Sequence, residues 1–269
     1  MVRPAEHDAR DGQASGNESM TVRPEPGRVV ERISEMVGSP WPTSEHERQS
    51  WFAQLGLSLD GAPVADQDGR VPRAMQFIGP PSEDWPETGW HLHRGQFVGV
   101  HWFLWAGEDE DATRAAAESL RTQLSARWPA IDELLSPTGG FTTLWHPADS
   151  RIDLYYHAPR NDLGPPAMPG VVQLHVDHRA RADAAEAEAL IGDVLVQHWV
   201  PDAVLDTTWA AEVNDTWVGR LVDSLRAGGG RTEILAELRR ARHRIGLPDG
   251  SDENAADLII SRWRTRPGG

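Results

Sequence analysis

Apolar residues in this chain recur at helical spacing near its start, alternate with polar ones through its middle, and return to helical spacing towards its end. Val29, Val30, Ile33 and Met36 predict a helix from Gly27 to Val37, ended by Gly38. Ser44 with Glu47 three residues on forms a capping box, which predicts a second helix carrying Trp51, Phe52 and Leu55. From Gln96 to Trp105, Val98, Val100, Trp102 and Leu104 alternate with Phe97, Gly99, His101 and Phe103. A stretch apolar on both sides predicts a central strand. The acidic run Gly107 to Asp111 then leads into an amphipathic helix through Trp128, with Ala116, Leu120 and Leu124 on one face.

Three further strands are predicted at Phe141 to His146, Ile152 to His157 and Val171 to Val176, separated by turn-forming Pro, Gly, Asp and Asn. In the second, Ile152, Leu154 and Tyr156 oppose Arg151, Asp153, Tyr155 and His157; in the third, Val172, Leu174 and Val176 oppose Gln173, His175 and Asp177. Such alternation marks an antiparallel sheet with one covered face and one wet face. A short strand fits Ala74 to Ile78 within a Gly-, Pro- and Asp-rich stretch from 57 to 90, and a helix from about Arg181 to Trp199 is stopped by Pro201. Beyond Asp215 the spacing is helical in three segments, the last capped by Ser251. The expectation is an α+β fold: a mainly antiparallel sheet of four to five strands with helices packed on one face, plus a C-terminal helical extension. The domains read as a disordered polar tail over 1–24, an α+β domain over 25–213 and the extension over 214–269. Met20 is a second candidate start.

Composition narrows the function classes. Hydrophobic residues at 39% and charged residues at 25% are those of a globular protein. No apolar run approaches the ~18 residues that span a bilayer, and the first residues hold no apolar signal segment. The absence of cysteine excludes disulfides and thiolate metal sites, so the expected compartment is the cytoplasm. The net charge is −15, of which residues 1–201 carry −14 and residues 202–269 carry −1. A field of that sign repels nucleic acid and draws in basic partners over roughly a Debye length, ~8 Å. The expected partner is a protein, with neither nucleic acid nor membrane involved; the oligomeric state is left open.

The eleven histidines are the main candidates for chemistry. His175 and His178 frame an Asp in Leu-His-Val-Asp-His, but Gln173 stands where a metallo-β-lactamase-type motif needs its first histidine. His91 and His93 share a face if they lie on a strand, and His157 and His175 converge only if their strands are adjacent and in register. No complete ligand set is visible, so no metal is expected. Glu108 to Asp111 lacks the spacing of a calcium loop. Gly228 to Gly230 separates two helices and is no phosphate loop, and there is no nucleophile elbow. Arginines of the last helices interleave with Glu233, Glu237 and Asp257, as on a solvated face. The chain is therefore expected to be no enzyme and to need no cofactor. Asp153, Tyr155, His157, His175 and Asp177, on the polar side of two predicted strands, are the candidate partner-binding residues.

The order of elements from Val98 to Asp202, with Val100 to Trp105, Leu144-Trp145, Val171-Val172-Gln173-Leu174 and Trp199-Val200-Pro201-Asp202, resembles the bacterial polymorphic-toxin immunity protein family numbered fifty-two. The resemblance implies a cytoplasmic protein that binds and neutralises a cognate toxin and has no chemistry of its own. A basic toxin suits the acidity of this chain. A secretion-associated chaperone or adaptor, and a His-dependent metalloenzyme, are the alternatives from other classes.

Overall fold

The same spacings carry through to three dimensions in the computed structural model, which describes residues 22–57, 62–63, 74–81, 85–107, 110–160, 169–199, 207–246 and 250–265. Of the expected tail, only residues 22–24 lie within this range. Val22 packs on the core, and Trp105 Nε1 donates to the Pro24 carbonyl at 2.9 Å.

Helix α1 (Pro26–Gly38) starts with proline at its first position and buries Val29, Val30, Ile33 and Met36. Helix α2 (Glu45–Gln54) is capped by Ser44, whose hydroxyl accepts from the Glu47 N–H, while the Glu47 carboxylate accepts from the Thr43 N–H. The strands are β1 (Ala62–Pro63), β2 (Ala74–Gly79), β3 (Thr88–His93), β4 (Gln96–Gly107), β5 (Ala130–Leu135), β6 (Phe141–Trp145), β7 (Ser150–His157) and β8 (Gly170–His178). They form one sheet in the order β1-β2-β3-β4-β8-β7-β6-β5. Every pairing is antiparallel. Two meanders, β1 to β4 and β5 to β8, thus join at the β4–β8 seam. Helix α3 (Glu110–Arg127) carries the chain from the centre of the sheet to β5 at its far edge.

The fold is α+β, with more strands than the four to five expected: seven of five to twelve residues, and the two-residue β1. The core lies between one sheet face and α1 to α3. Val100 and Trp102 of β4, Leu174 and Val176 of β8, and Ile152 and Leu154 of β7 meet Ile33, Met36, Phe52, Leu120 and Leu124. Each fully buried large side chain of this kind contributes about 1.5–3 kcal/mol.

Helices do not keep to that face alone, contrary to the sequence reading. Helix α4 (Arg179–Val194) continues from β8 and lies against one end of the opposite face. There Asp183 and Glu186 pair with Arg151, and Glu188 pairs with His93 and Arg94. A five-residue π-helical segment, Leu195–Trp199, extends α4. Its apolar side builds a second core with α5 (Thr207–Arg226), α6 (Arg231–Ile245) and α7 (Asp252–Thr265), through Ile191, Trp199, Leu221, Leu238 and Ile259. Inside it, Asp252 Oδ1 accepts from Trp199 Nε1 at 2.6 Å and from Arg242 Nε at 2.7 Å. The residues beyond 214 therefore share a core with α4.

Candidate functional site

The five residues singled out by alternation do share one sheet face, because β7 and β8 pair with Asp153 opposite His175 and Tyr155 opposite Gln173. Histidines from neighbouring strands join them. In the register, Gly89 of β3 lies opposite His101 of β4, which lies opposite His175; one row along, His91 lies opposite Gly99, which lies opposite Asp177. The two glycines make room for the large side chains. A Cβ on Gly89 would overlap the His101 imidazole, and one on Gly99 would overlap the Asp177 carboxylate and the Val176 carbonyl.

The rings form a chain across the sheet. His101 and His175 lie with centroids 5.2 Å apart and planes 23° apart, and His91 is 6.3 Å from His101. Tyr155 meets His175 edge-on at 5.7 Å and stacks on His157 at 6.0 Å. Gln173 bridges the two predicted histidines, its Nε2 donating to His175 Nε2 at 2.6 Å while its Oε1 lies 3.4 Å from His157 Nε2. His157 and His175 do therefore converge, through an amide.

The carboxylates correct the expectation of a wet acidic patch. Asp153 is 5% exposed and Asp177 6% exposed. Asp153 accepts from Arg151 Nε at 2.8 Å, and Arg151 also reaches Glu186 at 2.7 Å. Asp177 Oδ1 accepts no hydrogen bond; His91 Nε2 lies 3.9 Å from it. The physical reason for the burial is α4, which brings Asp183 and Glu186 over Arg151 and closes this end of the face.

Burial sets the protonation states. It pulls His175 down to about 3 and His91 to about 4, with neighbouring histidines adding repulsion, and it lowers His101 as well. Burial, reinforced by the charge of Asp153, pushes Asp177 well above the ordinary carboxylate range; burial also raises Asp153 against the pull of Arg151. The phenol of Tyr155 is pushed up to about 12, chiefly by burial and then by Asp153. For Arg151 burial acts downward, but the hydrogen bond to Glu186 and the charge of Asp153 outweigh it and raise the group. His91, His101 and His175 are therefore neutral imidazoles at neutral pH. Neutral imidazoles offer one donor and one acceptor each. Among the described residues, no three His, Asp or Glu side chains are placed to share a metal ion.

A second location was not foreseen. Strand β5 is the last in the sheet order, and all six of its residues are exposed. Ile131, Leu134 and Leu135 are 57%, 62% and 77% exposed. A bulge at Ile131 leaves Asp132 to Leu135 in regular register with Leu144 to Phe141 of β6. A cleft of about 330 Å³ opens at the C-terminal end of this strand, lined by Leu134, Leu135, Phe141, Tyr156 and His157. The available signal was an apolar pair and an isoleucine between Pro129 and the turn sequence Ser-Pro-Thr-Gly-Gly. Comparison with protein-family models, with curated proteins and with solved structures finds no match for this chain.

Proposed function

We propose that this chain is a cytoplasmic immunity-type protein that binds and neutralises a cognate basic protein toxin, without catalysis of its own. The observation that carries the reading is β5, an acidic edge strand with three large aliphatic side chains left in solvent. Exposed hydrophobic edge strands invite pairing with another chain, and proteins ordinarily blunt or cover them. An open edge beside a cleft of mixed polar and apolar lining is a surface that a partner completes. The net charge of −15 adds long-range attraction for a basic partner and speeds encounter. The polar face is the weaker candidate for the interface, since α4 covers one end of it and its two aspartates are buried.

The test is capture of the partner from the native host with the full chain as bait, followed by expression of the captured protein in a heterologous bacterium. Toxicity that disappears on co-expression of this chain supports the reading. A partner that is harmless alone, or that is exported with this chain's help, replaces it with the chaperone reading.

A further inference from the structure

We propose that β5 receives an extended segment of the basic partner as an added antiparallel strand, with two adjacent basic residues of that segment opposite Asp132 and Glu133 and two apolar ones opposite Leu134 and Leu135. This rests on the toxin-binding reading and places its interface. The edge has no neighbour among the described residues, so its outward N–H and C=O groups are free to form a ladder. Successive side chains on a strand point to opposite faces. Asp132 and Leu134 therefore project on one side of the sheet, Glu133 and Leu135 on the other. Each side offers one carboxylate followed by one leucine. Cross-strand neighbours pair directly, so the complementary strand is basic–basic facing the acids and apolar–apolar facing the leucines. Its apolar end arrives at the cleft where Leu134, Leu135 and Phe141 sit beside the polar Ser136, Thr142 and His157, and where a side chain can lodge.

A second copy of this chain fits the edge poorly. A two-fold antiparallel pairing over Asp132 to Leu135 sets Asp132 opposite Leu135 and Glu133 opposite Leu134, an acid against a leucine at every position, and brings together two chains of net charge −15. The bulge at Ile131 confines regular pairing to Asp132 through Leu135, which suits a short segment of another protein.

The experiment uses the full chain and three labelled peptides read by fluorescence anisotropy. One contains Val-Leu-Arg-Arg flanked by threonines; the second has Glu for both Arg; the third has proline in place of Leu. We expect the first to bind at least tenfold more tightly than either of the others, with affinity falling as salt rises. The double variant Asp132→Lys with Glu133→Lys, both positions exposed, should keep the wild-type melting temperature and prefer the Glu peptide. Should that variant fail to fold, Leu135→Ser, at an equally exposed position, must weaken the first peptide at least threefold. Equal binding of the proline peptide, or a charge-swapped variant with unchanged preference, overturns the proposal. So does a concentration-dependent dimer in sedimentation that the charge swap abolishes, since the edge would then belong to a second copy. If the charge-swapped variant still neutralises the captured toxin, the placement at β5 fails while the immunity reading stands. If wild type neutralises nothing, that reading fails whatever the peptides do.

Discussion

Replacing Asp177 by Asn isolates the half-buried histidines His91, His101 and His175 from the carboxyl group that opposes them. In the folded chain His175 and His91 protonate only near about 3 and about 4, whereas in the unfolded chain they do so near about 6.5. Between those values the unfolded state holds more protons, so acid favours unfolding. From pH 7 to pH 5 this linkage removes about 2 kcal/mol for each imidazole, or about 4 kcal/mol for the pair as an upper figure, because mutual repulsion is shared between them. His101 acts in the same direction. Asp177 acts in the other: it is raised in the fold, so its stability contribution is present at low pH and is lost as pH rises. Wild type should therefore lose less stability on acidification than Asp177→Asn, which should lose about 2–4 kcal/mol between pH 7 and 5. Guanidinium unfolding followed by tryptophan fluorescence at pH 5, 6 and 7 measures both proteins. Stability of Asp177→Asn that stays flat or rises as the pH falls from 7 to 5 refutes neutral, half-buried imidazoles.

Other outcomes test the packing. Asp153→Arg with Asp177→Arg should lower stability by about 3–5 kcal/mol in a thermal melt, because each new guanidinium is buried beside Arg151. Gly99→Ala should cost about 1–3 kcal/mol, since its methyl group meets the β8 backbone; Gly89→Ala should cost less, since it meets the movable end of the His101 ring. In the second core, Asp252→Ala withdraws the carboxylate shared by Trp199 and Arg242 and should cost about 3 kcal/mol, whereas exposed Arg231→Ala should leave the urea midpoint almost unchanged.

What could be read from the sequence was whatever one buried face imposes. β4, β7 and β8 each bury alternate residues against α1 to α3, so Trp102, Leu154 and Leu174 announced their strands. β5 is exposed on both sides, which leaves no period-two signal, and Asp132-Glu133 interrupts its apolar residues. β3 was hidden in a Gly-rich stretch because Gly89 is there to admit His101 from the next strand, a pairing set by tertiary register. The candidate face was legible as a face. Its closure was not, because Asp153 and Asp177 are buried by α4, whose Asp183 and Glu186 lie 32 and 35 residues along the chain from the Arg151 they cover. Alternation says which residues share a side and nothing about what later covers it.

Hydrogen–deuterium exchange of the complex between this chain and its captured partner locates the interface. New protection is expected for backbone amides from Asp132 to Leu135 and around the cleft at Phe141, with β3 and α4 unchanged. Protection confined to the polar face around Tyr155, His157 and His175, with β5 still exchanging as in the free chain, would contradict that expectation.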